Sequence, residues 1–197
     1  MGMNTSFCKI VISFFLILFT SSVAHSAFID NGLTTIDTST NLEWLDLTET
    51  QGYSYNDVDA LLLPGGIFDE YRRATEAEIS NMFSSFGLVS GPLNSTHTDF
   101  INLFGATAYQ GSYPESFGYA DSAGHSMALV YGLDFYTPGD NYLVYTGGLQ
   151  HNKSINFEGF GSYLVKVVPI PAGIWLFISG ILGLIGFTQR RAANIPR

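Results

Sequence analysis

The sequence predicts an α+β fold of short strands, two helices and then antiparallel strands, as one domain between a signal peptide and a C-terminal transmembrane helix. Three observations lead there. A β-branched opening at residues 33–38 is followed by two segments of helical spacing that each begin at a capping residue. Aromatic runs cut by turns come next. Uncharged apolar segments lie near both ends. The stretch between them, residues 27–167, has the length of one ordinary domain, for which about 100–200 residues is usual.

In chain order, residues 1–26 have the build of a secretory signal peptide. Lys9 precedes an apolar core at residues 10–20, and small residues follow from Ser21 to Ala27. The alternative is a retained membrane anchor, but such a core falls short of the ~20 apolar residues that a spanning helix needs. Cleavage after Ala24, Ser26 or Ala27 fits the small residues there. Cys8 is the single cysteine and leaves with the signal. The exported domain is then free of disulfides, thiolate metal sites and thiol catalysis.

Asp30-Asn31-Gly32 marks a turn before a strand over residues 33–38, and residues 42–46, with Trp44 as a core candidate, form the next strand. Ser54, with Asp57 three residues on, starts a first helix over residues 56–63, placing Val58, Leu61 and Leu62 on one face. Pro64-Gly65-Gly66 ends it. Thr75 and Glu78 make a capping box for a second helix. Ile79, Met82, Phe83 and Phe86 recur at its spacing and Gly87 stops it. Beyond Gly87, residues 106–109, 126–135, 142–145 and 163–168 read as strands, with Pro138-Gly139, Gly147-Gly148 and Gly159 as punctuation. The first and last strands are candidates to pair in one sheet.

Between Asp30 and Lys166 lie all 17 acidic residues and four basic ones, Arg72, Arg73, Lys153 and Lys166, for a net charge of −13. Such a domain repels nucleic acid, so no nucleic-acid partner is expected. No cofactor or metal site is expected either. His97, His125 and His151 lack metal-ligand spacing, and Ser126 in Gly124-His125-Ser126-Met127-Ala128 lacks the nucleophile-elbow pattern. Asp30, Asp37 and Asp46 offer oxygen ligands for calcium, but no calcium loop surrounds them, and local turn bonding accounts for acidic residues at such places. Trp44, Tyr109, Tyr113, Tyr119 and Tyr136 are candidates for an aromatic platform against a polysaccharide, with core packing the better account of Trp44. Asn94-Ser95-Thr96 and Asn152-Lys153-Ser154 match the N-glycosylation pattern.

The tail carries the sharpest signal. Positions 167–189 hold 23 uncharged residues between Lys166 and Arg190, within the ~17–25 that span a bilayer as a helix. Pro169 and Pro171 precede the helical part, where a missing N–H costs nothing. Arg190 and Arg191 favour a cytoplasmic end, residues 192–197, and Trp175 suits the outer interface. A simple anchor, with Gly180, Gly183 and Gly186 as a packing face, is the plain alternative. The run Val168, Pro169, Ile170, Pro171, Ala172, Gly173, Ile174, Trp175, with the later Gly-rich apolar segment and Arg190-Arg191, resembles the PEP-CTERM sorting domain, in a Val-Pro-x-Pro variant. That resemblance implies a tail over residues 168–191, recognised by an exosortase-type enzyme at the membrane. It also implies release to the cell surface or matrix, in association with exopolysaccharide.

The middle domain resembles the Lcl-type, C-type-lectin-like domain of bacterial exported proteins. The likeness is carried by residues 30–38, by Leu42-Glu43-Trp44-Leu45-Asp46-Leu47, by Tyr71-Arg72-Arg73-Ala74-Thr75 with Glu76 and Glu78, and by residues 161–165. It implies a single C-type-lectin-like domain in which these blocks are structural. The Glu-Pro-Asn and Gln-Pro-Asp motifs of sugar-binding C-type lectins are absent from the sequence. The expected protein is non-catalytic, and a carbohydrate-binding surface module is the alternative.

Overall fold

The computed structural model describes residues 28–136 and 141–169. The expected signal peptide and transmembrane helix, together with Ile170, Pro171, Ala172, Arg190 and Arg191, lie outside the described residues, within which no helix is long and apolar enough to cross a membrane. The chain divides into two compact units, Met1–Lys166 and Val167–Arg197. The elements below build the first, the final strand ending on the first residue of the second.

Among the described residues the fold is α+β, with three helices and two sheets. Strands β1 (Phe28–Asp30), β2 (Thr34–Asp37) and β3 (Leu42–Leu45) form an antiparallel meander with Thr35 opposite Trp44. Asn41 takes the left-handed conformation at the β2–β3 turn (φ 55°), which Asn tolerates better than most side chains. A 3-10 turn at Leu47–Thr50 leads to α1 (Tyr55–Leu61), where Ser54 and Asp57 cap each other's backbone N–H as the sequence predicts. Strand β4 (Arg72–Arg73) runs into the Thr75–Glu78 capping box of α2 (Glu76–Phe86), and Gly87 ends α2 in the left-handed conformation (φ 77°).

A third helix, α3 (Ser95–Phe104), corrects the expectation of two. It follows the short strand β5 (Gly91–Pro92), in the part of the chain read from sequence as turns. His97, Phe100, Ile101 and Phe104 line its buried face at helical spacing, and Asn94 caps it. Then come β6 (Ala108–Gln110), β7 (Tyr113–Tyr119), β8 (Ala128–Tyr136), β9 (Asn141–His151), β10 (Gly161–Ser162) and β11 (Leu164–Val167). Strand β7 was not expected. Gly147 and Gly148 do not end a strand but form a bulge inside β9, where the pairing to β8 jumps from Val130–Leu149 to Tyr131–Thr146.

The first sheet has the order β1-β2-β3-β11-β4, so the last strand does return to the first strands. The second has the order β10-β7-β8-β9-β5, with β6 on the edge of β7. Its registered pairs are antiparallel except β7 with β10. Tyr163, between β10 and β11, is the crossing point. Its N–H donates to the Tyr119 carbonyl (3.0 Å) and its own carbonyl accepts from the Ala74 N–H (2.8 Å). Its ring is buried against Trp44 and Phe83, with centroids 6.3 and 6.2 Å away. Around it Phe83, Phe100 and Phe104 pack edge-on or stacked, joining α2 and α3 to β3 in one aromatic core.

Candidate functional site

A cleft of about 570 Å³ lies where α1, β4 and two loops meet. Helix α1 contributes Tyr55, Asn56 and Asp59, strand β4 contributes Arg72 and Arg73, and Thr75 caps the adjoining helix. Asp121 and Ala123 come from the β7–β8 loop and Lys153 from the turn after β9. Three of the four basic residues between Asp30 and Lys166 therefore meet here.

Arg73 is the structural pivot, with its side chain buried. Its guanidinium lies 3.6 Å from the Tyr55 ring centroid, within cation–π range. Nε donates to Asp59 Oδ1 (2.7 Å), Nη1 to Ser162 Oγ (3.2 Å) and Nη2 to the Tyr55 carbonyl. One planar cation thus ties α1, β4 and β10 together, a geometry the forked guanidinium suits and an ammonium does not. Arg72 faces the solvent and grips Glu78 through both Nη atoms, at 2.8 and 2.6 Å. That pairing, helped by the Thr75 cap, draws the Glu78 carboxyl down to about 2.

Lys153 differs from both arginines. Nζ donates to the Ser122 carbonyl (2.6 Å) and lies 4.6 Å from the centroid of the Tyr55 ring. No carboxylate comes within 4.0 Å of it among the described residues. The Tyr55 hydroxyl accepts from the Ser122 N–H (3.1 Å), and burial raises its pKa. Tyr55 is only 4% exposed, so its ring is the floor beneath the cations and no platform for a stacked ligand. Across the rim, Asp121 Oδ1 accepts from the Ala123 N–H (3.0 Å), and the Asn56 amide donates to Ser154 Oγ (2.9 Å).

The residues singled out from sequence do not gather here. His97 is fully buried in α3, where Nδ1 accepts from the Asn94 N–H (3.3 Å), Nε2 contacts the Val89 carbonyl (2.9 Å) and the ring stacks on Tyr142. His125 is exposed near Glu76, and His151 packs edge-on to Phe157 and Phe160, where burial lowers its pKa. No cluster of metal-ligating side chains exists among the described residues. Asp30 Oδ1 accepts from the Gly32 N–H and Asp37 Oδ1 from the Ser39 N–H, both at 2.8 Å, the local turn bonding expected of them. Asp46 is pushed up to about 6 by burial and by the nearby charges of Asp30 and Glu49. Ser126 lies on an exposed bend.

Trp44 and Tyr119 are buried in the core, and Tyr113 stacks on Phe135 at 3.7 Å. All four candidate platform tyrosines are strand residues, of which Tyr109 and Tyr136 are exposed. Of the sorting motif, Val168 is half-buried and Pro169 exposed, and the rest lies outside the described residues. Away from the cleft, β7 and β8 bring Glu115 beside Asp134. Burial and a shared hydrogen bond push the Glu115 carboxyl up to about 7 while it accepts from the Phe135 N–H (3.2 Å). Sequence reasoning missed the cleft because its residues span positions 55 to 153. The only local signal was the Tyr71–Thr75 segment, whose first arginine faces outward and whose second faces inward. Set beside known proteins, the chain matches no protein-family model, no curated protein and no solved structure.

Proposed function

We propose that this chain is a non-catalytic exported protein of the cell surface or extracellular matrix, sorted by an exosortase-type system and associated with exopolysaccharide. The observation that carries the reading is the order of the tail: Val168, Pro169, Ile170, Pro171 and Ala172, then an uncharged apolar run, then Arg190 and Arg191. The signal-like residues 1–26 agree with export. The middle domain is read as C-type-lectin-like from its strand–helix–strand order and from Trp44 and Arg73 in structural roles. Mass spectrometry of the surface-exposed form, in a host with an exosortase, tests the assignment. A form ending near Pro169 to Ala172 is the expected result, and an intact chain through Arg197 reduces the tail to an anchor.

A second reading, a carbohydrate-binding module on the same tail, is favoured by the cleft. Its volume falls within the ~300–1,000 Å³ usual for small-ligand sites. Its rim of amide, carboxylate and ammonium groups suits hydroxyl-rich ligands.

A further inference from the structure

We infer that the cleft over Tyr55 takes an acidic saccharide, with a sugar carboxylate on Lys153 and sugar hydroxyls on Asp121 and Asn56. The inference rests on the second reading above, that the domain binds carbohydrate. Asp59 neutralises Arg73 at 2.7 Å and Glu78 neutralises Arg72 at 2.6 Å, so neither guanidinium is open to a ligand charge. Lys153 has no such partner among the described residues, although acidic residues outnumber basic ones about four to one between Asp30 and Lys166. An ammonium has three donors, and the Ser122 carbonyl uses one. Half-buried at the wall of a cleft, the remaining two suit an incoming carboxylate through charge-assisted bonds.

The other groups lining the cleft suit the hydroxyls of a sugar. Asp121 commits one oxygen to the Ala123 N–H and has no ion-pair partner within 4.0 Å among the described residues. Asn56 donates through its amide nitrogen and keeps its carbonyl oxygen as an acceptor. Both accept from hydroxyls. A polyphosphate is a poor fit, because it brings no hydroxyl donors for Asp121 and Asn56 and sets dense charge against Asp59 and Asp121 at the rim. A sugar acid carries one carboxylate per ring, set among hydroxyls. An aromatic ligand lacks a stacking face, since the Tyr55 ring is buried.

The test is isothermal titration of the full-length chain in detergent with trigalacturonate and with neutral maltotriose. Wild type and the variants Lys153→Gln, Lys153→Arg and Lys166→Gln are compared, with melting temperatures as a check on folding. Lys166 is a control outside the cleft, held by Glu43 and Glu70. The expected result is salt-sensitive binding of trigalacturonate that weakens about tenfold or more in Lys153→Gln, as loss of a charged hydrogen bond implies. Lys153→Arg and Lys166→Gln should bind as wild type does. Binding of trigalacturonate that ignores Lys153→Gln overturns the site. Binding of the neutral trisaccharide by wild type as tightly as trigalacturonate overturns the acidic ligand and leaves the carbohydrate reading standing. Binding of neither sugar overturns both.

Discussion

Trp44 is 1% exposed between β2 and β11, edge-on to Phe104 and Tyr163. Its indole nitrogen is buried with no hydrogen-bond partner among the described residues, so packing alone accounts for what the side chain contributes. Trp44→Ala should cost about 3–5 kcal/mol by urea denaturation. Trp44→Phe should cost clearly less, since it keeps most of the ring and removes an unsatisfied donor. A loss below 1 kcal/mol for the alanine variant would contradict the packing account. Glu115 makes a pH-dependent case. Its folded pKa is raised by burial and by Asp134, so its favourable contribution is complete below the unfolded value near 4.5 and is lost as pH rises through about 7. Glu115→Gln keeps an acceptor for the Phe135 N–H without the charge. That variant should be more stable than wild type at pH 8 by about 1–3 kcal/mol, with the gap closing toward pH 4. A gap that widens on acidification would contradict the assignment.

Among the elements, α1 and α2 were legible because each combines a capping box with apolar residues at helical spacing, and α2 adds the Gly87 stop. Helix α3 carries the same pattern, Asn94 with His97 at the third position and then Phe100, Ile101 and Phe104. The pattern is hard to see in the sequence because Asn94-Ser95-Thr96 also matches a modification pattern and the flanking glycines also suit a region of strands and turns. The β9 glycines misled for a related reason. Glycine ends a strand in one context and kinks it in another, and the choice is made by what lies across the sheet. Gly147 has φ 82°, and a Cβ there would sit 2.9 Å from the Tyr131 hydroxyl, whereas Gly148 has nothing within 4 Å of its Cβ position. Gly147→Ala should therefore cost about 1–2 kcal/mol, and Gly148→Ala should stay within about 0.5 kcal/mol of wild type. Equal losses at the two neighbours, read from thermal melts, would show that the bulge does not depend on the left-handed residue.

At the scale of the whole molecule, the α+β class followed from local patterns, while the cleft did not. It is assembled from positions 55, 73, 121 and 153 by strand crossings that no short motif records. The tail is the opposite case, since its meaning lies in linear order. Three parts are expected to act separately: a Pro motif that is cut, an apolar helix that holds, and two arginines that stop transfer. Changing Pro169 and Pro171 to Ala leaves hydrophobicity and charge almost untouched, so membrane insertion should persist while release stops. The intact chain should then accumulate in the inner membrane. Changing Arg190 and Arg191 to Gln removes the positive charge proposed to keep the end cytoplasmic, so a fraction of chains should pass through uncut. Fractionation with mass spectrometry of the C-terminal peptide separates the two outcomes. If the proline variant is released and trimmed like wild type, the prolines mark the end of a domain and not a cleavage signal.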